Sequence, residues 1–391
     1  MLTETLDLNT LEDVHSSGAY LKRDLQIVRG QGARLWDSAG NSYIDCVGGQ
    51  GAANLGHAHP AVLAAIQQQA AELITCPELF HNPVRARYQA ELCKAAGMSR
   101  VFLCNSGAEA NEGAMKIARL KTGRTGVIAT MRGFHGRTMG ALSTTWEKAY
   151  REPFLPLIAD VTHVPYNNLE RLAEALNNNT AAVLLEVVQG EGGVHPAEDR
   201  YLREVQELCH ANGTLLIIDE VQTGFGRTGY LFAHQHDGIQ PDLMTVAKSM
   251  AGGIPMGAIL MSQRVGELNP AAHGSTFGGN PLACATGLAV LDVLQNTDLI
   301  TRARELGEKV RTHLKTNLPE KAVREVRGRG FMFGIELRGK VAPILKLLQE
   351  RGLLALSAGP SVLRLLPPLV MSDDNLWQAV AIIEETLNHA F

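Results

Sequence analysis

The chain has 391 residues, 45% of them hydrophobic and 19% charged, which is the make-up of a folded globular enzyme and is long enough for two cores. Its formal net charge of −4 leaves no electrostatic footprint for nucleic acid or an anionic membrane, so an anionic ligand must be met by a local site. The polar start MLTETLDLNTLEDVHSSG is no signal peptide and no apolar run reaches a membrane span, so a cytoplasmic protein is expected.

In chain order, residues 25–47 read as short strands parted by glycine-containing turns, including Ala39-Gly40-Asn41. From about residue 60 helical stretches alternate with apolar runs at 101–104, 127–130, 182–188, 215–219, 243–247 and 257–261. Most of these runs lack polar alternation, which predicts strands buried on both faces of a largely parallel, helix-covered sheet. One long helix is expected over 280–297, leading into a C-terminal α+β region from about residue 300. The six cysteines (Cys46, Cys76, Cys93, Cys104, Cys209, Cys284) contain no C-x-x-C pair, and buried free thiols are expected at four of them.

Three places in this pattern carry chemistry. Ser106 and Glu109 form an S-x-x-E capping box after the strand VFLC, which is either a well-capped helix or, with Gly107, an anion site at a helix N-terminus. Asp219 closes the run LLIID, where an open α/β sheet binds ligands and where a carboxylate must find a partner. Lys248 follows the run LMTVA and precedes Gly252-Gly253; burial there favours the neutral amine that forms Schiff bases. An aspartate and a lysine on consecutive strand ends, downstream of an anion site, suit a phosphorylated pyridine cofactor better than any one of them suits a structural role.

The segments NSGAEANEGAMKIAR, GFHGRT, QGEGG, IIDEVQTGFGRTG, AKSMAGGIPMGA and HGSTFGGNPLA resemble, in order and over nearly the whole chain, those of class III, fold-type I aminotransferases. The resemblance is greatest to the acetylornithine aminotransferases, a group that includes enzymes acting on lysine tethered to an amino-group carrier protein. The segments CVGGQGAANLGH, MRGFHGRTMG, KAYREPFLPL and AGPSVLRLLPPLV resemble that lysine branch.

The resemblance implies an α/β fold with a mostly parallel central sheet and a smaller α+β domain from the two chain ends. The divisions are 1–55, 56–295 (binding pyridoxal 5'-phosphate) and 296–391. It implies cofactor contacts from Ser106, Gly107, Ala108, Phe134, Asp219, Glu220, Val221, Gln222, Lys248 and Thr276. Among these, Lys248 is the covalent attachment and proton carrier, Asp219 the partner of the pyridine nitrogen, and Gln222 that of the phenolic oxygen. Phe134 stacks on the ring, Gly107 and Ala108 cradle the phosphate, and Thr276 reaches it from a second subunit of a homodimer. Many relatives carry Thr where Ala108 stands, which removes one hydroxyl. For the substrate it implies Arg137 at the α-carboxylate of a blocked donor, Ser275 beside it, and Arg364 at the α-carboxylate of glutamate. Glu191 masks Arg364 when the ω-amino donor is bound. The expected reaction moves an ω-amino group between an N-blocked diamino acid and 2-oxoglutarate or glutamate. The block is either an acetyl group or an acidic carrier protein. Relatives commonly have Pro where Val187 stands, so the backbone there is expected to differ.

Two other readings are weaker. Gly224-Phe225-Gly226-Arg227-Thr228-Gly229 is a literal G-x-G-x-x-G, but it opens no evident helix and lacks the acidic residue that an NAD(P) oxidoreductase needs downstream. The pairs His57/His59 and His234/His236 have no companion ligands at metal-site spacing.

Overall fold

The structure, a computed structural model, describes residues 8–390. Its centre is a seven-stranded sheet in the spatial order Arg100–Cys104, Gly257–Met261, Leu243–Val246, Leu215–Asp219, Thr180–Glu186, Gly126–Thr130, Val161–Val164. The last five are parallel, and only Gly257–Met261 runs antiparallel to its neighbours. Every apolar run singled out in the sequence is a strand of this sheet. Alternate residues explain why the runs lack polar positions: Leu215 and Ile217 pack under the helix Gly107–Thr122, while Leu216 and Ile218 pack on the other face against Leu202 and Val205.

Residues 27–45 form three short strands as expected, and the C-terminal strand Leu353–Leu354 joins them in parallel. A second four-stranded sheet holds Val323–Arg329, Met332–Leu337, Val362–Leu365 and Leu356–Ser357. The long helix Pro281–Asn296 starts on Asn280, whose side chain accepts the amide of Ala283, and it packs on the helices Pro60–Glu72 and Pro83–Ala96. Among the described residues no helix is long and apolar enough to cross a membrane. All six cysteines are free, with Cys46, Cys104, Cys209 and Cys284 buried.

At Val187 the strand Thr180–Glu186 ends and a two-residue strand, Val188–Gln189, turns to pair with His195–Pro196. The hydroxyl of Tyr166 donates to the carbonyls of Glu186 and Val187 and fixes that bend. A pinned hydroxyl thus shapes the backbone where a proline would otherwise restrict it.

Candidate active site

A cavity of about 420 Å³ opens at the carboxyl ends of the parallel strands. Asn105–Ala108 line it on one side, Phe134–Arg137 on another, and Glu186, Glu191, Asp219, Val221, Gln222 and Lys248 close it.

The helix Gly107–Thr122 points its N-terminus into this cavity. Ser106 is extended (φ −152°, ψ 164°) and its Oγ accepts from the amide of Glu109 at 3.1 Å. The reciprocal half of the capping box is displaced by one residue: the Glu109 carboxylate accepts from the amide of Asn105 at 2.6 Å, rather than from that of Ser106. As first positions of the helix, the amides of Gly107 and Ala108 have no intrahelical acceptor and lie on the cavity wall, which is the arrangement an anion occupies.

Asp219 is buried, and three donors hold it. Oδ2 accepts from Asn111 Nδ2 and pairs with His135 Nδ1, both at 2.8 Å, while Oδ1 accepts from the amide of Val221 at 2.9 Å. Asn111 is fixed in turn, because its Oδ1 accepts from Thr245 Oγ1 at 2.7 Å. A carboxylate has about four acceptor positions, so one on Oδ1 stays open towards the cavity. This donor set suits a protonated ring nitrogen.

The adjacent strand brings a second carboxylate that sequence reasoning passed over. Parallel pairing sets Glu186 directly beside Asp219 in register. Glu186 accepts from the amides of Phe134 and Gly190, both at 3.0 Å. Burial pushes its carboxyl up to about 7; Asp219 adds to the rise, while His135 and the two amides oppose it. The available signal was an acid within a buried run, weaker than at Asp219 because the apolar run continues past it through Val187 and Val188.

Lys248 enters from the end of Leu243–Val246. Its φ of +48° is the left-handed region, a strain on the order of 1 kcal/mol for a side chain of this kind, and it starts a tight helical turn through Ala251. Burial holds its amine below the usual lysine range and Arg364 adds to this, against the opposing pull of Glu191, Asp219 and Glu186. Desolvation outweighs the carboxylates, and an amine so lowered is one that can shed its proton and attack a carbonyl.

Arg364 lies on Val362–Leu365, almost wholly buried, and its Nη1 donates to Glu191 Oε1 at 2.6 Å and to Gln222 Oε1 at 3.3 Å. Burial opposes ionisation of Glu191, but the charge and hydrogen bond of Arg364, with Lys248 and Gln222, hold its carboxyl below the usual range. A Cβ at Gly190, next to it, would fall on the Gln222 side-chain amide and displace it from Arg364. Arg137 is exposed, with its guanidinium 3.3 Å from the centre of the Tyr150 ring and 5.6 Å from that of Phe134. Among the described residues no carboxylate pairs with it.

Four expected contacts do not line the cavity; Arg364 is one, reaching it only through Glu191 and Gln222. The Glu220 side chain turns away to His234 and Thr223, as the residue after Asp219 on a strand must. Ser275 sits behind the wall, where its Oγ accepts from Asn105 Nδ2 at 3.1 Å and from the amide of Gly278 at 3.0 Å. Thr276, expected to act in the site of a second subunit, is exposed and does not line the cavity of its own chain.

The G-x-G-x-x-G segment is a set of turns around a fully buried Arg227, which donates to Asn54 Oδ1 and to the carbonyls of Phe331 and Pro367. His57 pairs with Asp45, His59 caps the helix Pro60–Glu72, and His234 pairs with Glu220, so these histidines are spent within the chain.

The fold is that of the fold-type I pyridoxal-phosphate enzymes, and its cavity is lined by a helix N-terminus with free amides, a buried aspartate and a desolvated lysine. A family model described as "Aminotransferase class-III" matches residues 17–387. The chain belongs to the class III aminotransferases, whose reaction depends on pyridoxal phosphate. It is 47% identical over 384 residues to the [LysW]-aminoadipate semialdehyde transaminase of Deinococcus radiodurans, covering 97% of this chain and 89% of that protein. It is 42% identical over 375 residues to the acetylornithine aminotransferase of Bacillus cereus, covering 95% of this chain and 97% of that one. Among solved structures, the ornithine aminotransferase of Toxoplasma gondii superposes with a TM-score of 0.94 at 35% identity, over 97% of this chain and 93% of its own. The acetylornithine aminotransferase of Elizabethkingia anophelis gives 0.86 at 32% identity, with 97% of each chain covered.

Proposed function

We propose that the enzyme moves an ω-amino group between an N-blocked diamino acid and 2-oxoglutarate, with lysine blocked by a carrier protein as its main donor and N-acetylornithine as the second candidate. The observation that carries this reading is the different state of two arginines: Arg364, buried behind the lining residues Glu191 and Gln222, is masked by Glu191 at 2.6 Å, while Arg137 lines the cavity and has no carboxylate partner among the described residues. An ω-amino donor presents its amine far from its α-carboxylate, so it needs a distant anchor (Arg137) and no cation near the reacting carbon. Glutamate reacts at its α-carbon and needs an anchor beside it, which Arg364 supplies once Glu191 releases it.

Pyridoxal phosphate, when bound, supplies the carbonyl that accepts the amino group and the electron sink that stabilises the adjacent carbanion. In this reading the amides of Gly107 and Ala108 hold the phosphate, Asp219 holds the proton on the ring nitrogen, and Gln222 and Phe134 fix the ring. Lys248 Nζ carries the proton to and from the carbon that bears the amine. The 47% identity to a transaminase named for a LysW-bound semialdehyde favours the carrier-bound donor.

The reading includes a homodimer. Exposed Thr276 is adjacent to Phe277, itself 60% exposed, and a second copy of the chain would bury both while bringing Thr276 to a neighbouring phosphate site. It also includes a small domain built from 1–55 and 296–391 around the large domain 56–295, supported by the pairing of Leu353–Leu354 with Ser42–Asp45. Free thiols at all six cysteines suit the reducing cytoplasm.

The deciding experiment is a side-by-side assay of purified enzyme with carrier-bound lysine and with N-acetylornithine, each against 2-oxoglutarate. A higher kcat/KM for the carrier-bound donor, and parallel lines in two-substrate initial-rate plots, are expected. A strong preference for acetylornithine would reverse the assignment of the donor, and intersecting lines would contradict the two-stage scheme.

A further inference from the structure

A second chamber, about 500 Å³ in volume, adjoins the first, with Phe134 and Glu191 in both walls. Trp146 and Tyr150 contribute aromatic wall, and Ser357, Gly359 and Pro360 also line the chamber. The amino transfer described above uses none of this space, and the chamber is far larger than an acetyl group.

Arg132 lines this outer chamber, and its position is fixed on both sides. Its φ of +66° is a conformation that side-chain-bearing residues rarely adopt. The turn that imposes it is tied down by the amide of Gly133 donating to the Thr130 carbonyl at 3.0 Å and by Gln189 Nε2 donating to the Met131 carbonyl at 2.8 Å. The guanidinium is held through Nη1, 3.1 Å from His195 Nε2. Burial, with Arg327 and Arg132 adding to it, lowers the His195 pKa to about 4, so at neutral pH the ring accepts this hydrogen bond and contributes no charge.

Among the described residues no carboxylate pairs with Arg132. The two acids in the chamber wall are otherwise engaged, Glu191 with Arg364 at 2.6 Å and Glu147 with the amide of Ala149 at 3.3 Å. An exposed arginine, tied at its backbone and at Nη1, with most of its donors unspent and two aromatic rings lining the same chamber, suits a planar anion on a short carbon chain. Arg137 connects the chambers, because it lines the inner one and stacks on Tyr150, which lines the outer one.

We infer that the outer chamber holds a blocking group that itself bears a carboxylate, of the γ-glutamyl-amide type, and that Arg132 binds that carboxylate. The inference rests on the function proposed above: with the donor's α-carboxylate at Arg137, the block on its α-nitrogen extends past Tyr150 towards Arg132. An acetyl block offers the arginine nothing to bind, so Arg132 is a residue that selects the donor.

The test compares N2-(γ-glutamyl)-lysine with N2-acetyl-lysine as donors to the holoenzyme, for the parent, Arg132→Gln and Arg132→Lys. In the parent the glutamyl donor has the higher kcat/KM. Arg132→Gln lowers the ratio of the two kcat/KM values about tenfold, through KM rather than kcat, and Arg132→Lys retains part of the ratio. A ratio unchanged by Arg132→Gln, or lost through kcat alone, would overturn the inference and leave the proposed function intact. Failure of the parent to accept either blocked amine would overturn both.

Discussion

Arg364 and Glu191 are 173 positions apart in sequence and 2.6 Å apart in the structure, where Glu191, on the cavity wall with Lys248, masks the buried arginine. Arg364 is almost wholly buried and its Nε has no partner, whereas the Glu191 side chain is 39% exposed. The acid is therefore the member that can move, and the arginine is the fixed anchor.

Glu191→Ala should leave Arg364 permanently available. The glutamate half-reaction then gains in kcat/KM, while the ω-amino half-reaction falls roughly tenfold as an unmasked cation faces the donor. Arg364→Ala should do the reverse, weakening the 2-oxoglutarate half-reaction by about 10- to 150-fold, the equivalent of about 1.5–3 kcal/mol for a lost charged hydrogen bond. Single-turnover absorbance changes for each half-reaction check both; equal losses in both half-reactions would show that the pair is only structural.

Asp219→Ala should destabilise even the cofactor-free protein. It strands the His135 ring N–H, the Asn111 amide and the Val221 N–H in a buried site, at about 1–3 kcal/mol for each group that water cannot reach. The urea midpoint of the cofactor-free variant measures this, and an unchanged midpoint would mean that the three groups find other partners.

Glu186 should give stability a pH dependence of known sign. Its folded carboxyl titrates near 7, above the ordinary glutamate value of 4.5, so its contribution is fully present below about pH 4.5 and is lost as pH rises through 7. Glu186→Gln loses one amide acceptor at every pH but does not titrate. The stability deficit of the variant should therefore shrink between pH 5 and pH 8, by on the order of 1–3 kcal/mol. Urea unfolding at the two pH values tests this; a constant deficit would place the Glu186 titration elsewhere.

Much of this site is legible in the chain because charge at the end of an apolar run is a local signal. Asp219, Lys248 and Arg364 each interrupt such a run, and Ser106 precedes its helix by the spacing a cap requires. Glu186 carries the same signal but sits inside AVLLEVV, where the apolar run continues past it, so the strand end at Glu186 is visible only once Tyr166 is seen to pin the bend. Asn111 and His135 have no local signal: one is a polar residue inside a helix, the other part of a loop, and only the sheet brings both to Asp219. Glu220 shows the opposite failure. Strand alternation sends it to the far face from Asp219, and that geometry was available from the sequence.

Trapping the lysine–cofactor linkage tests the central claim most directly. Purified enzyme should be yellow, lose that absorption on borohydride reduction, and yield on digestion one cofactor-modified peptide, with the modification on Lys248. Lys248→Ala should lack the reducible linkage and lose turnover. Modification at another lysine, or a Lys248→Ala enzyme that transaminates at the full rate, would contradict the account.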